Sequence, residues 1–351
     1  MVTRPVFGGG KGDAASTHTS ADWPLESDPV PVPAWSEQNI PGKDVGLLAA
    51  RPIRRGERIM ARTPAVMIDG ASVDALPVDS FAGLLHDAAA SLPEPHRGQF
   101  FNLSTNYGST GEDTSENEAY QIFATNAFRT GVADGEPDLH SVFRDISRIN
   151  HGCQPNCAYF FDPATLTHNV YAVVDIMQGE ELTVAYIDPI QTNADRQAKL
   201  HRHWGFGCTC ARCSLPPHRV AESDDRVRSI QALLTTLDDY TTPLPEAMSA
   251  NVTVGPSAGE LLVLLFELEG LHARMHEAEY RLALEWNGVG DALRATQAAR
   301  RCLDRGLLVR GAEQAFLTNM RQLVADPAAH WSWKFRLDNG EKTGGEKNNT
   351  K

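Results

Sequence analysis

The sequence lacks any long apolar run and has only six cysteines in 351 residues. No window reaches the roughly 20 apolar residues that a membrane-spanning helix needs, and the first residues hold no apolar stretch typical of a signal peptide. Five of the six cysteines fall within two short segments, which is unlike a disulfide framework. In a chain without a secretory signal, such clustering indicates metal binding. We therefore expect no membrane association and a location in the nucleus or cytoplasm.

Basic residues are also in deficit, with 32 Lys and Arg against 45 Asp and Glu and a formal net charge of −13. This balance disfavours direct nucleic-acid binding, which requires a basic face. It is compatible with a basic protein partner such as a lysine-rich tail, and equally with a merely soluble acidic surface. The oligomeric state does not follow from these properties. The 42% of hydrophobic residues suffices for a substantial core, and the length allows two domains.

Changes in composition divide the chain into successive parts. They are a disordered or extended N-terminus at 1–38, a folded domain at 39–190, a short cysteine-bearing segment at 191–215, a helical region at 220–335 and a disordered polar tail at 336–351. Within the folded domain, apolar residues at helical spacing predict a helical insert at about 71–120. The polar breaks in the helical region predict antiparallel helix hairpins.

Short β-like runs dominate the rest of the folded domain. Residues 46–50 and 57–60 are separated by a turn at 54–56, whose glycine supplies the positive φ of a tight connection, and the pattern predicts a hairpin. Residues 181–186 are predicted to form a strand that ends at a tyrosine. Further on, Thr192 followed by an acid three residues later predicts a capped helix start.

The strongest metal signal is the C-x-C-x-x-C spacing of Cys208, Cys210 and Cys213. Thiolates suit Zn²⁺ in a closed tetrahedral structural site, which needs four ligands. The fourth ligand must come from elsewhere in the chain, and the candidates are Cys153, Cys157, Cys302 and a histidine. A redox C-x-x-C pair is the alternative, although a thioredoxin-like context is missing.

Four polar residues are candidates for binding or catalysis. Asn126 lies in an apolar run, so its amide must find partners, which are either backbone groups or the polar end of a ligand. His151, next to Asn150, is a catalytic base or, as lone histidines more commonly are, a structural hydrogen-bonding group. Tyr186 is a core tyrosine on composition alone.

Four separated motifs together resemble those of the SET-domain protein lysine methyltransferases. Residues 46–57 resemble the first β-hairpin of that family, RINHGCQPNC at 148–157 its N-H-S-C-x-P-N motif, GEELTVAY at 179–186 its G-E-E-L-x-x-x-Y motif, and WGFGCTCARC at 204–213 its post-SET zinc segment. The cysteine spacing and the helical C-terminal region are most similar to the SET-and-MYND (SMYD) subfamily, although the sequence lacks the MYND cluster of cysteines and histidines. The resemblance implies an α+β fold: a SET-domain β-fold with a pseudoknot, a zinc-binding post-SET segment and an α-helical C-terminal region.

The resemblance also implies a role for each candidate residue. The implied binding residues for S-adenosyl-L-methionine are Lys43, Asp44, Val45, Gly46, Asn126, Asn150, His151 and Phe206. Phe206 would stack on the adenine, and Cys153 would complete the structural Zn²⁺ site of the three post-SET cysteines. Tyr186 would stand at the mouth of the lysine channel as the catalytic residue.

The activity that the resemblance implies is methyl transfer to a lysine side chain of a histone or non-histone protein. Asp44 departs from the family pattern, because a glycine usually stands there and only glycine freely adopts some loop conformations. This departure motivates an alternative function, that of a catalytically weak SET-fold scaffold that binds protein partners through its helical C-terminal region.

Overall fold

The computed structural model describes residues 33–105, 115–130, 139–240, 254–310 and 315–337. The predicted disordered N-terminus up to residue 32, and the predicted tail from residue 338 onwards, lie outside these described residues. The predicted start of the disordered tail, residue 336, is wrong, because residue 336 is part of the fold. Arg336 is fully buried and forms an ion pair of 2.6 Å with the equally buried Glu285, so the fold extends at least to this side chain.

Short strands build the first part of the fold. They are β1 (Trp35–Ile40), β2 (Asp44–Ala49), β3 (Arg58–Arg62), β4 (Val66–Asp69), β5 (Phe128–Arg129), β6 (Leu139–Val142), β7 (Asn150–His151), β8 (Cys157–Asp162), β9 (Thr167–Ala172) and β10 (Thr183–Val184). They pair as β1–β2, β3–β9–β8, β4–β6–β5 and β7–β10, and the last pair is parallel. The core between the sheets includes Leu47, Phe143, Val170 and Leu182, all of which are fully buried.

Strands β2 and β3 do not form the predicted hairpin. β2 pairs with β1, and β3 pairs with β9. Gly56 does adopt a positive φ of 88°, but its N–H binds the carbonyl of Ala172 in β9, so the turn directs β3 away from β2. The predicted start of the folded domain at residue 39 is also too late, because β1 begins at Trp35. Prolines at 33 and 41 gave this region an extended character, yet the residues between them contain no proline and pair as a strand.

Four helices form the predicted insert: α1 (Gly70–Ala75), α2 (Val78–Ala90), α3 (His96–Phe101) and α4 (Ser115–Asn126). Phe81 and Leu85 of α2, Phe100 of α3 and Ile122 of α4 bury their side chains together against β4 and β6. The insert therefore has its own core, and its last helix ends at Asn126, one of the residues predicted to bind a cofactor.

In the part of the chain that the structure describes, the last strand is followed by α-helices and no further strand: α5 (Asn193–Trp204), α6 (Pro217–Leu237), α7 (Pro256–Leu268), α8 (Met275–Gly288), α9 (Ala292–Arg310) and α10 (Ala315–Ala325). Thr192 caps α5 as predicted, since its hydroxyl accepts the N–H of Asp195 at 3.3 Å. Val309 of α9 packs with Ala158 of β8, which joins the helical region to the strands. Across the described ranges, no helix is both long and apolar enough to span a membrane.

Candidate active site

The parallel pair β7–β10 brings two of the sequence motifs together. Asn150 lies opposite Thr183 and His151 opposite Val184, and the N–H of Gly152 binds the carbonyl of Val184 at 3.0 Å. β10 ends two residues before Tyr186, so the predicted strand at 181–186 is shorter than expected. The chain turns at this point, and the turn puts the ring of Tyr186 beside the ring of His151, with their centroids 5.4 Å apart.

Four cysteines converge next to this pair. The sulfur atoms of Cys153, Cys208, Cys210 and Cys213 all lie within 4.8 Å of one another. Cys157 and Cys302 are also buried but lie outside this group. Of the four candidates for a fourth partner of the C-x-C-x-x-C segment, the fold thus selects Cys153.

The thiols of this cluster perturb one another strongly. Hydrogen bonds with the three other cysteines raise the pKa of Cys153 far above its usual value, whereas its own hydrogen bond to Cys210 holds the pKa of Cys210 far below it. Four thiolates at this spacing would repel one another unless a cation lay between them. The donor set, four sulfur atoms around one point, has the composition and the closeness that a tetrahedral Zn²⁺ site requires.

His151 connects the cysteine cluster to Tyr186. Its Nδ1 accepts the backbone N–H of Tyr186 at 3.1 Å, which puts the ring proton on Nε2. Nε2 faces the sulfur of Cys153 at 3.3 Å, so the ring can donate to that sulfur. Burial lowers the pKa of His151 to about 4, and the ring stays neutral. Of the two roles weighed for His151, this geometry supports the structural hydrogen-bonding group, since both ring nitrogens are already engaged.

Seven of the eight residues predicted to bind a cofactor line one cavity of about 210 Å³. The exception is Gly46, which lies behind the cavity wall. A Cβ atom on Gly46 would come within 2.5 Å of Nδ2 of Asn150, so the absence of a side chain at Gly46 is what allows Asn150 its position. The cavity therefore depends on glycine at this position even though Gly46 does not face it.

Glu181, which was not predicted as a site residue, holds two of the side chains that line this cavity. The carboxylate of Glu181 binds the ammonium group of Lys43 at 2.6 Å and the amide of Asn150 at 3.0 Å. Asp44, which also lines this cavity, has a φ of +54°. This is the left-handed conformation that glycine, the usual residue at this position in the family, adopts more easily than aspartate. Asn126 uses its amide N–H groups on the backbone carbonyls of Ser104 and Ile122, both at 2.8 Å, so the backbone alternative is correct for that end of the side chain.

A second cavity, of about 250 Å³, meets the first at Tyr186. Its walls include the aromatic side chains of Phe128, Tyr159 and Trp204. Tyr186 donates its hydroxyl to the carbonyl of Ile149 at 2.8 Å, and burial raises the pKa of this phenol above its usual value. The three aromatic residues were not predicted as site residues, because each lies in a different element and only the fold brings them together.

Comparison with known proteins adds a family to this geometry. Residues 44–187 match the family model of the SET domain. A protein of Schizosaccharomyces pombe named histone-lysine N-methyltransferase set5 is 28% identical over 186 residues, which cover 53% of this chain and 52% of that protein. The Homo sapiens histone-lysine N-methyltransferase SMYD3 is 35% identical over 27% of this chain and 22% of its own length. The Arabidopsis thaliana histone-lysine N-methyltransferase ASHR1 is 32% identical over 30% of this chain and 22% of its own length.

The chain thus spans about half the length of the first of these relatives and about a fifth of the other two. The match to the family model covers strands β2 to β10, the helical insert and both motifs that meet at β7 and β10. It ends immediately after Tyr186, so the cysteine segment and the helical region lie beyond it. Residues 44–187 thus match the SET domain, and parts of the chain are similar to proteins named histone-lysine N-methyltransferases.

Proposed function

We propose that the protein is an S-adenosyl-L-methionine-dependent protein-lysine N-methyltransferase. The observation that carries this proposal is the meeting of two cavities at Tyr186, one polar-rimmed and one walled by aromatic rings. A methyltransferase of this kind needs separate sites for its methyl donor and its acceptor, which open onto one reaction point. The SET domain match and the names of the relatives support the same assignment.

The first cavity suits S-adenosyl-L-methionine by its shape and its polar groups. Lys43, Asp44 and Val45 would face the cofactor from one side, with Asn150 and His151 beneath it. Phe206 offers the aromatic face on which an adenine can stack. The close approach of β2 to Asn150 at Gly46 supports a tight cradle, and the parallel pairing of β7 with β10 supports the implied pseudoknot.

The four clustered cysteines would hold one Zn²⁺ as a post-SET metal site. All four ligand positions would be filled by protein sulfur, which leaves no open position for substrate or water, so the metal would be structural. Its effect on the reaction would be indirect. The ion would tie the loop of Phe206 to the loop of His151, and residues of both loops line the cofactor cavity.

Methyl transfer would rely on positioning more than on acid–base chemistry. S-adenosyl-L-methionine supplies an electrophilic methyl group on a sulfonium centre. Free lysine has a pKa near 10.4, so the amine must be deprotonated, and the apolar aromatic walls of the second cavity would favour its neutral form. The hydroxyl of Tyr186 donates its proton to the carbonyl of Ile149. The phenol oxygen can therefore accept an N–H from the substrate amine and orient the lone pair of the amine nitrogen.

The substrate would be a protein that presents a lysine, either a histone, as the names of the relatives suggest, or a non-histone protein. The net charge of −13 is compatible with a basic partner such as a lysine-rich tail. These substrates would be met in the nucleus or the cytoplasm.

The test is transfer of labelled methyl groups from S-adenosyl-L-methionine to histones and to fractionated cell extract. Tyr186→Phe should abolish or sharply reduce transfer. Tyr171→Phe is the matched control, because Tyr171 stacks on Phe160 outside both cavities, and it should transfer at the wild-type rate. Saturable cofactor binding without methylation of any fraction would refute the enzyme, and the absence of saturable cofactor binding in a calorimetric titration would favour the scaffold.

A further inference from the structure

A buried acid of the helical region, Glu269, contacts both segments that carry the candidate metal site. This residue ends helix α7, and its side chain is 2% exposed. It lies outside the SET domain match and more than 50 residues beyond the last clustered cysteine in the sequence. Its burial is unusual for a glutamate, which is seldom buried unless it is paired.

The carboxylate of Glu269 contacts the loop that carries three of the cysteines. One oxygen lies 2.8 Å from the guanidinium group of Arg212, the residue immediately before Cys213. The same oxygen accepts the hydroxyl of Ser223 at 2.6 Å, and the other accepts Nε of Arg226 at 2.5 Å. Two guanidinium groups and one hydroxyl thus hold the acid, and the buried Arg212 in turn depends on it for its counter-charge.

The backbone of Glu269 contacts the loop that carries the fourth cysteine. Its carbonyl accepts the side-chain amide of Gln154, the residue immediately after Cys153, at 2.9 Å. The next residue, Gly270, has a φ of +63°, and a Cβ atom there would come within 2.8 Å of the same amide. The close packing of Gln154 against this turn therefore requires glycine.

We infer that Glu269 is a positioning residue for the cysteine cluster, through which the helical region holds the two cysteine-bearing loops at the spacing that a Zn²⁺ ion requires. The inference rests on the metal site put forward under the proposed function. The side chain fixes Arg212, the backbone carbonyl fixes Gln154, and each of these residues is bonded directly to one that bears a clustered sulfur. Partners of this kind outside the ligand shell commonly change metal affinity by about 10- to 100-fold.

The test is the rate at which the full chain transfers Zn²⁺ to a chromophoric chelator in excess. Glu269→Gln should speed the release by about tenfold or more. The matched control is Glu279→Gln, because Glu279 is equally buried in the helical region and paired with two arginines, Arg301 at 3.3 Å and Arg305 at 3.2 Å, neither of which is next to a clustered cysteine in the sequence. This control should release Zn²⁺ at the wild-type rate even if it lowers stability as much.

A second variant covers the case in which Glu269→Gln does not fold. Gln154→Ala changes an exposed side chain, keeps the carboxylate network intact and should also speed the release. Equal rates for wild type, Glu269→Gln and Glu279→Gln would overturn the inference, as would an unchanged rate for Gln154→Ala alone. Wild-type protein without bound Zn²⁺ would instead refute the metal site itself, and the inference with it.

Discussion

Replacing Cys153 by serine should remove the metal and disturb the cofactor cavity in one step. Structural Zn²⁺ sites in small peptides contribute about 10–16 kcal/mol, or about 3–4 kcal/mol for each of four ligands. Loss of one sulfur should therefore weaken Zn²⁺ binding by about 10²- to 10³-fold. The sulfur of Cys153 also lies 3.3 Å from Nε2 of His151, whose other nitrogen holds the backbone of Tyr186, so the disturbance should reach both cavities.

The measurements are metal content by elemental analysis after dialysis and cofactor affinity by calorimetric titration. Wild type should hold about one Zn²⁺ per chain, and Cys153→Ser should hold little and bind the cofactor more weakly. Cys157→Ser is the matched control, since Cys157 is buried in the same motif four residues later but lies outside the cluster, and it should keep its metal. Full metal content in Cys153→Ser, or equal loss in both variants, would refute the reasoning.

Changes at three further positions test the cofactor cavity and the core beside it. Gly46→Ala should lower the free energy of unfolding by about 1–3 kcal/mol and weaken cofactor binding in titrations, because the new methyl group overlaps the Asn150 amide. Gly83→Ala, with open space at its Cα, is its control and should do neither. Asp44→Gly should leave unfolding in urea nearly unchanged, since relief of the left-handed backbone, about 1 kcal/mol, is offset by about 0.4–1 kcal/mol of unfolded-chain entropy. Asp44→Val puts a branched side chain at the same positive φ and should lower the free energy of unfolding by about 1–2 kcal/mol. Burial lowers the pKa of His168 to about 3, whereas the same side chain in the unfolded chain takes up a proton near pH 6.5. Acidification from pH 7 to pH 5 therefore favours the unfolded state, and the free energy of unfolding of the wild type should fall by about 2 kcal/mol. His168→Leu should not show this part of the decrease.

The parts of the site that the sequence predicted share one property: their chemistry is local. The C-x-C-x-x-C segment indicates a metal site within six residues. Glycine, asparagine and histidine at fixed positions of a short motif can likewise be recognised without knowing which distant segment they contact. The resemblance singled out Cys153 as the fourth ligand, which spacing alone could not do, and the fold brings its sulfur within 4.8 Å of the other three. The capped start of α5 at Thr192 was predictable for the same reason, since both members of the capping pair lie within one turn.

The parts that sequence reasoning missed depend on pairing between distant segments. Apolar alternation identified β2 and β3 as strands but could not say that β1 and β9 are their partners, because many registers bury the same residues. The role of Glu181 follows from three segments meeting, those of Lys43, Asn150 and Glu181 itself. The aromatic wall of the second cavity is likewise invisible in any single stretch of sequence.

A buried arginine beside the cysteine cluster bears on whether the cluster holds a cation. Four thiolates around one Zn²⁺ carry a net charge of about −2, which a buried site must balance. Arg196 contributes to that balance, since 1% of its surface is exposed and one of its guanidinium nitrogens lies 3.7 Å from the sulfur of Cys213. The ion pairs among the described residues give Arg196 no carboxylate partner, whereas the buried Arg212 is paired with Glu269. A guanidinium group buried beside four neutral thiols would have no counter-charge to offset its desolvation. The burial of Arg196 is therefore an argument for thiolates, and for a bound cation, that does not depend on the cysteine spacing.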